Sequence, residues 1–417
     1  MFTSRTSWRV RWLSGLMAGC PLLAASLLTT STAMAEDALD AKVVARGLAS
    51  MGNTARLQCV LAKARRGEKV TVAVIGGSIT AGACASRVEL RWGNQVARWW
   101  RETFPNASVT FVNAGIGATG SDIGAHRAQH HLLRHKPDFV AIEYAVNDSG
   151  SKIASETLEG LIRQVLKLPN RPAAMLLFMM NKAGHNVQDA HIPIARHYGL
   201  PMVSFRDALW PEIETGRIAW DDIEADVVHP NDRGHRYAAD LVTAVLAKVL
   251  ADLPPDARLP KPPPLPAPKI SDVFEFATYL NAETINPKRN QGWQLIRKHP
   301  YAGLFGPGWK TDTPGSVLEF EVDASAVGVM FWRIKGDMGM AEVQVDDSPP
   351  VKVEAWFSAD WGGYMPFQSV ARDLKPGPHV LRVKLLETKN DASNGHEFRL
   401  HAIMLAGLKG ARTHKKP

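Results

Sequence analysis

Apolar positions follow two different spacings along the chain, and the change falls near residue 253. Before it, continuous apolar runs alternate with segments in which apolar residues recur every three or four positions. The continuous runs cover residues 70–75, 109–113, 139–144, 175–180 and 202–205. The helical spacing covers residues near 55–66, 93–104, 121–135, 155–167, 188–198 and 231–251. Continuous runs are typical of parallel strands buried on both faces, so this part is predicted to be an α/β domain with helices on both sides of a parallel sheet.

After the change, the apolar residues alternate with polar ones or form short runs. These segments cover residues 316–322, 327–333, 341–345, 351–357, 379–385 and 398–405. Turn signals such as Gly336-Asp337, Asp346-Asp347 and Pro376-Gly377 separate them. Short strands divided by turns predict an all-β domain, and we expect a sandwich of two sheets.

A proline-rich stretch marks the boundary between the two patterns. Residues 254–268 contain eight prolines and directly follow the last helical segment. Proline disrupts helices and inner strands, so we expect a stiff, extended connector. The predicted organisation is an α/β domain over 36–252, a linker over 253–268 and a β-sandwich over 269–410.

The N-terminus has the features of a signal peptide over residues 1–35. Arg5, Arg9 and Arg11 precede an apolar stretch, and Ala33-Met34-Ala35 gives the small-x-small pattern of a cleavage site. A membrane anchor or a lipoprotein site at Cys20 is the alternative. We expect an exported protein, periplasmic or secreted, that is not inserted in a membrane after cleavage.

Charge and cysteine content narrow the function classes. The chain has 417 residues, a net charge of +8 and a pI near 9.3. Three of these charges belong to the predicted signal peptide and four to the last nine residues, including the basic tail 411–417, so about +1 remains for the rest. No basic stripe remains for a nucleic-acid partner. Three cysteines exclude a disulfide scaffold; Cys59 and Cys84 either form one disulfide or are two small buried side chains.

Four polar segments follow predicted strands or precede the last helix. They are Gly76-Gly77-Ser78-Ile79-Thr80, residues 113–121 (NAGIGATGS), Ala145-Val146-Asn147-Asp148 and Asp226-Val227-Val228-His229. Ligands of open parallel sheets bind beyond the carboxyl ends of the strands. We therefore expect these segments to meet at one rim of the sheet.

The residue types in these segments are those of nucleophilic catalysis. Ser78 is placed to attack a carbonyl carbon, His229 to accept its proton, and Asp226 to orient the imidazole. The backbone N–H groups of Ser78 and Ala118 and the side-chain amide of Asn147 would form an oxyanion hole. Gly117 is the alternative to Ala118, because a left-handed backbone would strain alanine.

Other local patterns are typical of different chemistry, but each is a single motif that no other segment of the chain supports. Gly115-x-Gly117-x-x-Gly120 fits a dinucleotide fingerprint, although it follows the second strand rather than the first. Four histidines crowd one predicted helix, and a solvated helix face is the favoured interpretation over a metal site; they are His126, His130, His131 and His135. Among His185, His191 and His197, one could line the cleft. Asp148 and Arg233 are candidate supports of the site.

Taken together, the four segments resemble the blocks of the SGNH (GDSL-type) hydrolases over roughly residues 68–250. The resemblance implies a three-layer, flavodoxin-like α/β/α fold and ester hydrolysis through an acyl-serine intermediate, without metal or other cofactor. Three positions depart from the family pattern: Gly77 replaces its Asp, Ala145 replaces a Gly, and Ala118 stands at the oxyanion glycine of the second block. The Gly77 change is expected not to affect the chemistry.

These observations predict an exported serine esterase that deacetylates a carbohydrate, since the β domain resembles accessory domains of carbohydrate esterases. Ser78, Asp226 and His229 are its expected catalytic residues. Trp361, in the loop Trp361-Gly362-Gly363-Tyr364, is a candidate for stacking on sugar rings. A periplasmic polysaccharide O-acetyltransferase and a lipase or arylesterase are the alternatives, because the same triad serves them. The oligomeric state and the polysaccharide are not predicted.

Overall fold

The computed structural model describes residues 39–255 and 259–408. The predicted signal peptide and the basic tail lie outside the described residues, as do residues 256–258 of the proline-rich connector. From Ala41 onward the described residues belong to one compact unit. No helix in the described ranges combines the length and the apolar character needed to cross a bilayer.

The first domain is built on a six-stranded sheet. Its strands are β1 Leu48–Ser50, β2 Val70–Gly76, β3 Val109–Gly115, β4 Phe139–Glu143, β5 Ala173–Phe178 and β6 Met202–Ser204. They are arranged in the order β1-β6-β5-β4-β2-β3, with β1 antiparallel and the others parallel. Without β1, this is the flavodoxin-like order, which confirms the predicted fold class. Every residue of β2, β4 and β5 is buried, which explains their unbroken apolar sequences.

Helices cover both faces of this sheet. They are α1 Ala41–Gly47, α2 Ala55–Arg65, α3 Ser78–Ala81, α4 Trp92–Thr103, α5 Ser121–His131, α6 Lys152–Leu166, α7 Gln188–His197, α8 Phe205–Glu214, α9 Trp220–Ile223 and α10 Asp232–Ala251. Helices α2 and α4 pack with α10 on one face, while α5, α6 and α7 pack together on the other. All six helices expected from the periodicity are present. The predicted helix over 121–135 breaks at Leu132 and continues as a 3₁₀ turn, Leu133–His135.

The second domain consists of two antiparallel sheets, as expected. Its elements are β7 Thr278–Leu280, β8 Arg289–Gln291, β9 Gln294–Ile296, α11 Ala302–Phe305, β10 Gly308–Thr311, β11 Val317–Ala324, β12 Ala326–Phe331, β13 Met340–Val345, β14 Val351–Glu354, β15 Phe367–Ala371, β16 Gly377–Leu385 and β17 Phe398–Ala406. One sheet has the order β15-β12-β17-β10-β9, with β7 also paired to β17, and the other β14-β13-β16-β11-β8. Alternate side chains of β11 and β13 are buried between the sheets.

The histidine-rich face of α5 is covered by the second domain. His126 is 1% exposed, and its ring lies 5.7 and 5.3 Å from the rings of Phe274 and Phe367. Nε2 of His131 donates to the carbonyl oxygen of Leu304 at 2.9 Å. The expected solvated helix face is therefore wrong for His126 and His131, whereas His130 and His135 are exposed as expected. Sequence periodicity shows only that a face is polar, and these imidazoles are polar groups packed against aromatic rings.

The hydrophobic cores of the two domains share residues. Ile116 and Ile123 of the first domain belong to the apolar cluster of the β-sandwich and are 4% and 1% exposed. Ala326 and Ala406 of the second domain belong to the cluster beneath α5 and α6. Ile116 lies in the loop that carries Ala118, so the sandwich packs behind one of the predicted oxyanion segments.

Polar contacts fasten the connector and the second domain to α6. Nε of Arg163 donates to Oε2 of Glu275 at 2.7 Å, and Nη1 of Arg163 donates to the carbonyl of Pro266 at 2.9 Å. The Glu159 carboxylate accepts hydrogen bonds from three successive backbone N–H groups, of residues 269, 270 and 271. The end of the proline-rich stretch is thus held on the surface of the first domain.

Candidate active site

The predicted catalytic segments meet at one rim of the parallel sheet. Ser78 follows β2, and Asn147 follows its neighbour β4. The chain runs from β2 to β3 on one side and then crosses to β4 on the other, so the strand order reverses at β2. Such a reversal opens a crevice at the carboxyl ends of the strands, where ligands of this architecture bind. The segment from Asp226 to His229 reaches the same rim shortly before α10.

Ser78, His229 and Asp226 form a continuous hydrogen-bonded chain. Oγ of Ser78 lies 2.8 Å from Nε2 of His229, and Nδ1 of His229 lies 2.7 Å from Oδ2 of Asp226. The residues are more than 140 positions apart in sequence at their widest. An imidazole held between a carboxylate and a hydroxyl can take the hydroxyl proton as the oxygen attacks a carbonyl carbon.

A tight turn fixes the position of Asp226. Its Oδ1 accepts hydrogen bonds from the backbone N–H groups of Val228 and His229, both at 2.8 Å. Nε1 of Trp220 donates to the Asp226 carbonyl at 2.7 Å. Burial acts to raise the pKa of Asp226, but the hydrogen bonds from His229 and the two amides outweigh it, so the pKa lies below its usual value. The carboxylate is therefore charged while it faces the imidazole.

Ser78 is the first residue of the short helix α3, directly after Gly77. Its N–H is one of the amides at a helix start that have no partner within the helix, so a group bound at the serine can accept a hydrogen bond from it. Gly117 lies beside the serine, since a Cβ placed on Gly117 would come 3.9 Å from Cβ of Ser78. Both sequence segments predicted to frame the oxyanion are thus adjacent.

Ala118 has a left-handed backbone, with φ of +53°. Such a conformation costs a residue with a side chain about 1 kcal/mol or more, and strain of this kind collects at functional sites. The Thr119 hydroxyl donates to the carbonyl of Ile116 at 2.7 Å, and Ile116 is anchored in the core of the sandwich. The turn that carries Ala118 is therefore supported on two sides.

Gly77 is in direct contact with Asn147, which corrects the expectation that this departure is remote from the chemistry. A Cβ built on Gly77 would lie 2.2 Å from Oδ1 of Asn147 and 2.9 Å from its Cγ. Real Cβ atoms do not approach other heavy atoms so closely, so any side chain at position 77 would displace the amide. Glycine at this position makes room for the predicted oxyanion donor.

A buried polar network, which sequence reasoning missed, lies under the rim. The Thr80 hydroxyl donates to Oε2 of Glu143 at 3.0 Å. Nη2 of Arg127 donates to the Gly76 carbonyl at 3.1 Å and to the Tyr144 hydroxyl at 2.9 Å. Glu143 and Arg127 are fully buried. Their only signal in the sequence is a charged residue inside an otherwise apolar strand or helix face.

Asp148 joins the Asn147 segment to the start of α5. Its Oδ1 accepts from the backbone N–H of Ser121 at 2.6 Å, and its Oδ2 lies 3.1 Å from Nε2 of His191. The side chains of Asp148 and His191 are 2% and 3% exposed. Among the three histidines after β5, His191 is thus the one tied to the site, through Asp148 and not through the serine. His197 instead donates to the connector at Ala267.

Burial raises the pKa of Glu143 to about 7 and, together with the charge of Asp148, raises that of Asp122 to about 7. A carboxyl whose pKa is higher in the folded than in the unfolded chain binds its proton more tightly when folded. Its contribution to stability is complete below the unfolded pKa, near 4.5 for Glu143, and is lost as the pH rises through about 7.

We therefore expect Glu143→Gln to flatten the dependence of stability on pH. Between pH 5 and 8 the wild-type protein should lose roughly 2 to 3 kcal/mol of unfolding free energy because of Glu143, and the variant should not. The measurement is urea unfolding at a series of pH values. Glu102→Gln is the matched control, because the Glu102 side chain is 71% exposed. Parallel curves for wild type and Glu143→Gln would contradict the assignment.

Cys59 and Cys84, which flank β2 in the sequence, are both free, so the disulfide hypothesis is wrong for this structure. Sγ of Cys59 contacts the Pro260 carbonyl at 3.7 Å, on the connector. Cys84 is exposed in the turn after α3. The sequence placed both near β2 but gave no information on the direction in which each thiol points.

Trp361 is 60% exposed on the second domain. Its ring lies 5.2 Å from that of Phe357 and 5.4 Å from that of Tyr364, and the Arg333 guanidinium lies 5.4 Å from the Phe357 ring. These contacts are all within its own domain. Trp332 is buried and directly follows β12.

A serine, an imidazole and a carboxylate linked in this order, at the switch point of a flavodoxin-like sheet, form an arrangement that is typical of hydrolases with an activated serine. The family model of the GDSL-like lipase/acylhydrolase family matches residues 74–237. No protein of curated function matches the chain in sequence.

Two solved structures resemble nearly the whole chain. A two-domain esterase (CEX) active on acetylated mannans is 32% identical, with a TM-score of 0.80 over 88% of this chain and 99% of that one. The same kind of esterase co-crystallised with mannopentaose is 31% identical, with a TM-score of 0.79 over 88% and 98%. The chain belongs to the GDSL-like lipase/acylhydrolase family and is a carboxylic ester hydrolase, which confirms the resemblance seen in the sequence.

Proposed function

We propose that the protein is an exported esterase that removes acetyl groups from an acetylated carbohydrate through an acyl-serine intermediate. The observation that carries the proposal is the unbroken chain of hydrogen bonds from Ser78 through His229 to Asp226, in a fold shared along its length with an esterase active on acetylated mannans. Acetylated mannan is accordingly the first substrate to test.

The reaction would proceed in two halves. Oγ of Ser78 attacks the acetyl carbon while Nε2 of His229 takes its proton, and the C–O bond to the sugar breaks as His229 returns that proton to the leaving sugar oxygen. Water then attacks the acetyl-serine, with His229 again as base, and acetate leaves as Ser78 regains its proton. Asp226 keeps Nδ1 protonated and stabilises the imidazolium in both halves.

The negative charge on the acetyl oxygen would be held by three donors. They are the backbone N–H groups of Ser78 and Ala118 and the side-chain amide of Asn147. The strained backbone of Ala118 and the missing Cβ of Gly77, which leaves space for Asn147, both support this assignment. A single donor of this kind lowers a reaction barrier by about 3 kcal/mol.

The openness of the site favours a small acyl group on a large alcohol. The side chains of His229 and Asp226 are 23% and 45% exposed. Two cavities of about 370 and 420 Å³ lie near α5 and the second domain, and neither is lined by a member of the triad. A lipase would need an apolar cavity at the serine for its acyl chain, whereas an acetyl group needs little space and a polymer needs an open rim.

Export is supported by the basic residues, the apolar stretch and the small-x-small pattern within the first 35 residues. A carbohydrate polymer outside the cytoplasm would be reached by such a protein. The aromatic cluster around Trp361 supports contact with sugar rings, because the apolar face of a pyranose stacks on an exposed aromatic ring.

The test is acetate release from acetylated mannan, compared with acetylated xylan, acetylated pectin and p-nitrophenyl esters of increasing chain length. We expect release from at least one acetylated polysaccharide and a steep fall from acetyl to longer acyl esters. The matched variant Trp361→Ala should raise KM for the polymer and leave p-nitrophenyl acetate hydrolysis unchanged. Faster hydrolysis of long acyl chains would identify a lipase, and an acetylated oligosaccharide product without acetate release would identify an acetyltransferase; either result would overturn the proposal.

A further inference from the structure

Cys84 lies beside the imidazole and carboxylate of the triad. A ligand atom of Cys84, one of Asp226 and one of His229 all lie within 4.8 Å of one another. Cys84 and Asp226 are exposed and His229 is partly exposed, so an ion could reach the three from solvent. The proposed hydrolysis uses His229 and Asp226 but gives Cys84 no role.

Two positions before Asp226, the side chain of Glu224 is buried without a partner. Glu224 is 2% exposed, and neither of its carboxyl oxygens has a hydrogen-bond partner. It interacts electrostatically with both Cys84 and Asp226. A bridge between Glu224 and Pro230 holds it at the base of the turn that carries Asp226 and His229. Buried polar groups are normally satisfied, so an unpaired carboxyl at the base of the turn that carries Asp226 and His229 requires an explanation.

The combination of ligand types selects one class of ion. Zn²⁺ is bound by Cys sulfur, His nitrogen and carboxylate oxygen at about 2.0 to 2.3 Å, commonly with four ligands. Mg²⁺ and Ca²⁺ prefer oxygen ligands alone, so a thiol and an imidazole disfavour them. Ligand atoms around a tetrahedral Zn²⁺ lie roughly 3 to 4 Å apart, which follows from those bond lengths. A shift of about 1 Å brings the three ligand atoms to this spacing, and the exposed side chain of Cys84 can supply it.

We propose that Cys84, Asp226 and His229 bind a thiophilic divalent cation of the Zn²⁺ type, and that the bound cation reversibly inhibits the hydrolase. Binding of the ion releases the thiol proton to solvent, and no oxidant or reductant takes part. The inhibitory half rests on the catalytic role proposed for His229, whereas the binding half does not.

Inhibition follows from the two nitrogens of the imidazole. A neutral imidazole carries one proton, so an ion on Nδ1 leaves that proton on Nε2, which can then donate to Ser78 but cannot accept from it. An ion on Nε2 blocks the same atom directly. In both cases the serine loses its base, and removal of the ion by a chelator restores it.

The test uses the full chain, treated with EDTA and then freed of it. Zn²⁺ is titrated into p-nitrophenyl acetate hydrolysis, and each variant is compared with its own rate without metal. We expect inhibition by Zn²⁺ that EDTA reverses. Cys84→Ser should raise the inhibitory concentration at least tenfold, because even an outer partner of a metal ligand is worth roughly 10 to 100-fold in affinity. Cys59→Ser is the matched control, since its thiol lies on the connector and should leave the titration unchanged.

Co²⁺ gives a readout that does not depend on activity. A thiolate bound to Co²⁺ has a charge-transfer band in the near ultraviolet, which we expect in wild type and in Cys59→Ser but not in Cys84→Ser. Absence of the band in wild type, or its persistence in Cys84→Ser, would overturn the binding site whether or not the chain hydrolyses esters. A Cys84-dependent band without inhibition would overturn the inhibitory half alone.

Discussion

Replacement of Ser78 by alanine is expected to lower kcat/KM for p-nitrophenyl acetate by at least about 10⁴-fold. The substitution removes the atom that is proposed to form the acyl intermediate, and it removes the hydroxyl that lies 2.8 Å from Nε2 of His229. The residual rate would come from direct attack of water on the bound ester, with the oxyanion donors still stabilising the transition state. The measurement is the initial rate of nitrophenol release, corrected for spontaneous hydrolysis.

Ser86→Ala is the matched control for this variant. Ser86 is an exposed serine in a nearby turn, where its hydroxyl donates to Oδ2 of Asp232 at 2.6 Å. Its loss should leave the rate nearly unchanged, because the Ser86 hydroxyl contacts Asp232 and no member of the triad. If Ser78→Ala folds with an unchanged circular dichroism spectrum and keeps its activity, Ser78 is not the nucleophile.

Replacement of Asp226 by asparagine should cost about 10³- to 10⁴-fold in kcat with little change in the fold. The Oδ1 of asparagine can still accept from the amides of Val228 and His229. Its amide nitrogen, however, would donate toward Nδ1 of His229 and force the imidazole proton onto Nε2. In that tautomer the imidazole cannot accept the proton of Ser78.

The control here is Asp221→Asn. Asp221 is a nearby aspartate with a side chain 86% exposed, and it makes one weak ion pair with Lys182 at 3.5 Å. We expect its kcat to match that of wild type. A loss of less than tenfold in Asp226→Asn would mean that the carboxylate does not control the tautomer of His229, and the triad would have to be redrawn as a dyad.

The strands and the triad could be predicted because strong physical constraints acted on few residues. Burial on both faces leaves β2, β4 and β5 without polar alternation, and this continuity is visible in one sequence. In a parallel sheet, residues that follow different strands converge at one edge. The positions of Ser78 and Asn147 directly after β2 and β4 therefore predict that they lie close together.

What the sequence left out depends on tertiary contacts. Strands such as β8 are three residues long and fully exposed, so burial leaves no apolar pattern in them. The histidine face of α5 reads as a solvated surface because nothing in its spacing shows that a second domain covers it. The importance of Gly77 became apparent only from the 2.2 Å that would separate its Cβ from Asn147. The buried network of Arg127 and Glu143 likewise depends on tertiary contacts, because their partners come from other segments of the chain.

The shared cores bear on how such a protein could be assembled from parts. Proline-rich connectors usually suggest modules that can be exchanged between enzymes, yet Ile116 and Ile123 of the catalytic domain are buried in the sandwich. Removal of the sandwich at the connector would expose both isoleucines to water and leave the loop that carries Ala118 without its support. The sandwich is therefore part of the packing of the catalytic domain. Exchange of the sandwich for another domain at this connector would remove the support of the loop that carries Ala118.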